Sequence, residues 1–306
     1  MPGTVVVTGG TGFVGRTLCA RLAQASADTR IVVPTRQRGA ARALQMLPTV
    51  EFRQGDVHDP ADAARLLAGA DALVHLVAIL HGDDAAFERV HVQLPRTLAA
   101  AARAAGVRRV VHVSALAVAP DAPSAYLRSK AAGEAAWRDS GLDVRVLRPS
   151  VIFGAEDRFS NLFAGLQRIF PVLPLAGAEA RFQPVWVADV ASAILACLQR
   201  PGPDGAVVEC AGPEVLTLRQ IVRQVGRMAG CERPVVALPE ALGFAQATLM
   251  RLLPGEPLVS RDNLLSMRVP SVASPGHLGL ASLDIDAAPL AVLAAHFAPP
   301  RPAYRF

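Results

Sequence analysis

Tyr126-Leu127-Arg128-Ser129-Lys130 sets a phenol and an ammonium four residues apart, on one face if the segment is helical. That spacing predicts proton chemistry. An ammonium beside a phenol lowers its pKa, so Tyr126 could act as general acid and base near neutral pH, while Lys130 also holds a ribose. Of the 31 Lys and Arg residues only one is lysine, and there are two tyrosines, Tyr126 and Tyr304. A chance spacing of four has odds of roughly 2 in 306. A surface tyrosine beside a solvated lysine is the plain alternative.

A second motif opens the chain. Val7-Thr8-Gly9-Gly10-Thr11-Gly12-Phe13-Val14-Gly15 places glycines 9, 12 and 15 between an apolar run and a helical pattern. Gly9 permits a tight turn, Gly12 lets the backbone approach a pyrophosphate, and Gly15 lets helix pack close on strand. The free N–H groups at the helix start then bind the anion. A merely tight turn would not need the third glycine. The next strand ends Val33-Pro34-Thr35-Arg36-Gln37-Arg38 with no carboxylate to hold a ribose 2′-hydroxyl. Arg36, helped by Arg38, favours a 2′-phosphate and so NADP(H) over NAD(H). Two solvated arginines are the alternative.

These residues need a scaffold, and the pattern supplies one. Val5–Thr8, Arg30–Pro34, Val50–Arg53, Ala72–Val77, Arg109–Ser114 and Val144–Leu147 read as strands. Gly12–Gln24, Ala61–Ala68, Phe87–Ala105 and Ser124–Ser140 read as helices between them. Such alternation predicts an α/β fold with a doubly wound, Rossmann-type parallel sheet. After Pro149 the pattern loosens, with helices expected at Val187–Gln199 and Leu218–Met228. The expected division is a nucleotide-binding domain over residues 1–150, with 185–199 packing back on it, and a smaller substrate or interaction domain over 151–306.

The composition excludes several classes. The chain has 306 residues, 52% apolar and 19% charged, with a formal charge of +5. Disorder is excluded by that apolar content. The longest apolar run, Ala72 to Leu80, is strand-sized, short of the ~18 residues a membrane span needs. The basic residues are dispersed and aromatics are 5%, which argues against nucleic acid. Cys19, Cys197, Cys210 and Cys231 lie far apart, and the histidines show no zinc-ligand spacing, so no metal is expected. With no leader or cleavage site after Met1, a cytoplasmic chain is expected. Trp186 and Phe182 line a cleft or simply pack. Glu240–Leu253 has near-helical apolar spacing and either packs a small domain or docks on a membrane or partner.

With Gly9-x-x-Gly12-x-x-Gly15 and Tyr126-x-x-x-Lys130 in place, the chain resembles the extended short-chain dehydrogenase/reductases. Gly55-Asp56-Val57 resembles that family's adenine contact, and Val74-His75-Leu76-Val77-Ala78 its fourth strand. Arg148-Pro149-Ser150-Val151-Ile152-Phe153-Gly154 resembles the segment bordering the nicotinamide. Val185-Trp186-Val187-Ala188-Asp189-Val190 resembles a later helix start with Asp189 as its cap. The resemblance implies a cofactor site built from Gly9, Thr11, Gly12, Phe13, Val14, Gly15, Thr35, Arg36, Asp56, Val57, Val77, Ala78, Ser114, Tyr126, Lys130, Pro149 and Val151. The catalytic pair it implies is Tyr126 and Lys130. Two positions depart from the pattern: Leu116 stands where a Ser or Thr usually holds the substrate oxygen, with Ser114 or Ser124 as substitutes, and His91 stands where many members have Asn. The gap from Ser114 to Tyr126 is short for an epimerase-type member.

That combination resembles an atypical subgroup containing the nucleotide-binding accessory subunit of respiratory complex I and epimerase-like bacterial chains. Gly255-Glu256-Pro257-Leu258-Val259-Ser260-Arg261-Asp262-Asn263-Leu264 resembles that subgroup as well. The resemblance implies an NADP(H)-dependent oxidoreductase or epimerase with an incomplete catalytic set. Its alternative is a non-catalytic NADP(H)-holding scaffold on a respiratory or membrane-associated complex, at the inner face of a membrane.

Overall fold

The computed structural model describes residues 1–36, 44–200, 205–250 and 259–297. Arg38 and Tyr304 lie outside the described residues, as do the side chains of 249–258. Six β-branched runs form the first strands: β1 (Thr4–Thr8), β2 (Arg30–Thr35), β3 (Val50–Gln54), β4 (Ala72–His75), β5 (Arg109–Val113) and β6 (Val144–Pro149). Two-residue strands β7 (Ile152–Phe153), β9 (Arg181–Phe182) and β10 (Val185–Trp186) surround β8 (Leu173–Ala176). Later come β11 (Val207–Cys210), β12 (Leu216–Thr217), β13 (Val235–Leu238) and β14 (Leu278–Gly279). One eight-stranded sheet takes the order β14-β11-β6-β5-β4-β1-β2-β3, every pair parallel. The strand order reverses at β1, with β4 on one side and β2 on the other. A crevice therefore opens past the carboxyl ends of these strands.

Helices cover both faces, as a parallel sheet requires. Helix α1 (Phe13–Ala25) and helix α7 (Val187–Gln199) bury Leu18, Cys19, Leu22, Val190 and Ile194 on one face. On the other, α2 (Pro60–Leu67), α4 (Leu94–Ala104) and α5 (Ala125–Arg138) bury Leu67, Leu98 and Trp137. Between α2 and α4 lies a short helix, α3 (Asp84–Phe87). The expected helix over Phe87–Ala105 is in fact three pieces, because a π-helical turn over Glu88–Gln93 separates α3 from α4. A π-turn adds one residue to the hydrogen-bonded loop while the chain stays helical on both sides, so residue types alone do not mark it. Strand β4 ends two residues before Val77, and β5 one before Ser114.

Three further helices, α6 (Arg158–Ile169), α8 (Leu218–Met228) and α9 (Glu240–Met250), pack with the small sheets β8–β13 and β9–β12 in a layer of their own. Helix α10 (Arg261–Ser266) follows, started by a reciprocal cap between Ser260 and Asn263. Trp186 and Phe182 are half-buried against this layer's core, Trp186 with its ring 5.3 Å from that of Phe153. Asp189 is not the cap of α7. Trp186 precedes that helix without a side-chain cap, and the Asp189 carboxylate accepts from Ala288 N at 2.8 Å. Among the described residues no helix is long and apolar enough to cross a membrane.

Candidate functional site

The expected site residues follow the carboxyl ends of six adjacent strands. Gly9 follows β1, Thr35 ends β2 with Arg36 just past it, and Asp56 and Val57 follow β3. Val77 and Ala78 follow β4, Ser114 follows β5, and Pro149 and Val151 lie at and just past the end of β6. Gly9 has φ +77°, which suits glycine, and a Cβ there would lie 3.2 Å from Val77 N. A Cβ on Gly15 would sit 2.4 Å from Gly9 O, so the helix reaches the turn only because that position carries none. Helix α1 begins at Gly12 with no side-chain cap and no acidic residue in its first turn. The amides of Phe13, Val14 and Gly15 thus form a bare positive end, which fits a pyrophosphate. Arg16 braces the loop, donating to Thr11 O at 3.0 Å and pairing with Glu156 at 2.5 Å.

The outer edge of this cradle is equally ordered. Gly55 N donates to Thr35 O at 3.2 Å, tying β2 to the turn after β3. Asp56 N donates to Asp62 Oδ2 at 2.8 Å, and the Asp56 carboxylate accepts from His58 N at 3.0 Å. Thr35 is buried while Arg36 is exposed at the rim.

The second half of the site is carried by α5. Ser124 caps that helix by accepting from Leu127 N at 3.2 Å. Lys130 is buried, and its Nζ donates to Val113 O at 2.8 Å, fixing the ammonium under the end of β5. Burial pushes its pKa down to about 8, opposed by the nearby Glu134 carboxylate. Glu134 itself forms a two-pronged pair with Arg148, at 2.9 and 2.6 Å. The expected lowering of the Tyr126 pKa is not found: burial pushes the phenol up to about 12. Desolvation of the phenolate outweighs the ammonium one turn away. Tyr126 therefore keeps its proton at neutral pH.

His91, which stands where the resemblance expects Asn, has both ring nitrogens bonded within the protein. Ser129 Oγ donates to Tyr126 O at 2.8 Å, so it accepts from His91 Nδ1, also at 2.8 Å. His91 Nε2 then accepts from Ile79 N at 3.1 Å. The imidazole is neutral, its pKa pushed down to about 3 by burial and by Lys130. It is a strut joining the π-turn, the loop after β4 and the start of α5. Gly133 makes this approach possible, since a Cβ there would lie 2.1 Å from His91 O. Phe87, His91 and Tyr126 form an aromatic cluster with ring centroids 5.5 to 6.2 Å apart.

Leu116 is buried and offers a substrate no hydrogen bond. Ser124 Oγ serves the cap. Ser114 Oγ is buried with no hydrogen-bond partner among the described residues, whereas Ser124 Oγ already accepts from Leu127 N. Sequence reasoning missed Asp262, whose carboxylate accepts from Ala125 N at 2.7 Å and Tyr126 N at 3.0 Å. The Ser260–Asn263 spacing signals the cap of α10, but not the contact to α5. Among the described residues no group of three or more His, Cys, Asp or Glu side chains could hold a metal ion.

The chain is similar to several known proteins. The chain is 30% identical over 291 residues to the mitochondrial NADH dehydrogenase [ubiquinone] 1 alpha subcomplex subunit 9 of Rattus norvegicus, covering 93% of this chain and 76% of that protein. It is 30% identical over 239 residues to the ceramide reductase of Caulobacter vibrioides, covering 78% and 74% of the two. A solved dTDP-glucose 4,6-dehydratase from Streptomyces venezuelae, with NAD bound, superposes with a TM-score of 0.68 at 28% identity over 86% of this chain and 94% of that one. Residues 5–211, from β1 to the residue after β11, match the NAD dependent epimerase/dehydratase family, and the chain belongs to it as an NAD(P)-binding extended short-chain dehydrogenase/reductase.

Proposed function

We propose that the chain is an NADP(H)-dependent reductase of a carbonyl compound, with Tyr126 as proton donor. The observation that carries this is the buried Lys130, held on Val113 O and set on α5 one turn from Tyr126. A nicotinamide cofactor, when bound, supplies the hydride. Tyr126, protonated at neutral pH, gives its phenolic proton to the oxygen being reduced. Lys130 holds the ribose hydroxyls and, in its charged form, favours the phenolate left behind. Ser114 Oγ orients the substrate oxygen, while Leu116 keeps water from it. Gly9, Gly12 and Gly15 seat the pyrophosphate, and Asp56 and Val57 border the adenine. Arg36 meets the 2′-phosphate.

A raised phenol pKa suits reduction better than epimerisation, because epimerisation also needs the same group to accept a proton. The relationship to a ceramide reductase points the same way. Binding followed by NADPH fluorescence tests the cofactor half: Arg36→Ala should weaken NADPH roughly tenfold and leave NADH unchanged. Equal loss of both, or of neither, overturns the NADP(H) assignment. Tyr126→Phe tests the chemical half by NADPH consumption across a carbonyl panel, where turnover should vanish and binding persist.

A second reading rests on two observations: Leu116 replaces the usual donor, and both nitrogens of His91 are occupied within the protein. The chain would then hold NADP(H) as a scaffold in a respiratory assembly, the setting of the rat relative. Co-migration with such an assembly on a native gel after mild detergent extraction, with Tyr126→Phe fully functional, would establish it.

A further inference from the structure

The far end of α6 carries a feature the cofactor site does not use. This helix starts beside the crevice, where Asp157 accepts from Gly154 N at 2.9 Å, and ends 12 residues later, roughly 18 Å away. There Arg168, Ile169, Phe170, Pro171 and Val172 are all exposed in succession, Ile169 to 74%, Phe170 to 47% and Val172 to 45%. Val236, exposed to 52%, stands opposite exposed Pro174 on the β8–β13 pair, and Leu173 N donates to Pro234 O at 2.9 Å. The apolar residues thus form one tip. Arg168 and Arg233 flank it, and neither 168–172 nor 233–236 contains a carboxylate. The neighbouring carboxylates are already paired, Glu232 with Arg223 and Arg227, and Glu240 with Arg268.

We propose that this tip docks the protein on an anionic lipid bilayer, with Ile169, Phe170, Val172 and Val236 entering the headgroup–acyl boundary and Arg168 and Arg233 meeting lipid phosphates. A protruding apolar tip with a cationic collar matches an interface that is apolar inside and negative at its surface. The arginine stems add apolar length beneath their charged heads. Docking here leaves the crevice, at the other end of α6, clear of the bilayer surface.

Flotation of the full chain with vesicles decides the matter. Vesicles of 70% dioleoyl phosphatidylcholine and 30% dioleoyl phosphatidylglycerol should carry the protein up the gradient at low salt. Pure phosphatidylcholine, or high salt, should carry much less. Ile169→Ser with Phe170→Ser should lower partitioning about tenfold or more while NADPH binding and Tm hold. Val172→Ser, just before β8, with Val236→Ser on β13 should give a loss in the same direction and guards against misfolding of the first variant. The proposal is overturned if the wild type stays at the bottom with anionic vesicles at low salt, or if both variants float like wild type. It is also overturned if the substitutions instead convert an oligomer to a monomer, which would make the tip an interface between copies.

Discussion

Helices α1 and α5 both begin at the crevice, and they begin in opposite ways. The first turn of α1 is bare, with no side-chain cap and no carboxylate. At the first turn of α5, Ser124 holds Leu127 N and Asp262 holds the amides of Ala125 and Tyr126. Every helix start carries orphan N–H groups and a positive dipole end. Where the chain must receive an anion it leaves them open. Where it must hold a reacting side chain still, it closes them with its own oxygens. The second helix is also braced by neutral histidines, whereas no titratable side chain caps the first.

The largest effect is expected from acid, which should loosen the α5 start far more than the α1 start. His75, His91 and His112 are buried and held below their ordinary pKa of 6.5, the first two at about 3, chiefly by burial. The unfolded chain binds these protons below pH 6.5 and the folded chain does not, so stability falls as pH drops from about 6.5 toward 3. The limiting slope for three groups is about 4 kcal/mol per pH unit. Chemical denaturation at pH 7 and pH 5 measures it, and hydrogen exchange should show α5 opening before α1. Unchanged stability between those pH values would remove the histidine brace from the account.

Gly15→Ala attacks the open start. Its Cβ would meet Gly9 O at 2.4 Å, so a cost of about 3 kcal/mol and loss of NADPH binding are expected. Calorimetry with and without NADPH reads both. Asp262→Ala attacks the closed start and removes two charge-assisted bonds, with a smaller expected cost of about 1–2 kcal/mol. Asp262→Asn, which keeps one accepting oxygen, should recover part of that difference in Tm. Equal Tm for wild type and Asp262→Ala would mean solvent serves those amides as well as the carboxylate does.

The open start was legible in the sequence because its chemistry is local. Gly9, Gly12 and Gly15 lie within seven residues, and the strand–helix alternation around them sets the sheet. The Tyr126–Lys130 pair was legible for the same reason, but the phenol's pKa was not, since burial depends on elements distant in sequence. Asp262 meets α5 across 136 residues, so no spacing rule announces it. The same holds for β11 and β14, short runs among prolines and glycines that join the first-half sheet beyond β6. The π-turn left no local mark, since Val90 and Leu94 keep the i, i+4 spacing of an ordinary helix.

The position of β14 has a consequence for how the protein is made. Strands β1 to β6 are complete by residue 149, but the outer edge strand arrives only at 278–279. A ribosome adding about 5–20 residues per second needs on the order of ten seconds to cover that interval. During it, the nascent chain already contains the glycine loop, while the first amides of α5 still await residue 262. The residues of the glycine loop are thus made well before the carboxylate that locks the Tyr126 end.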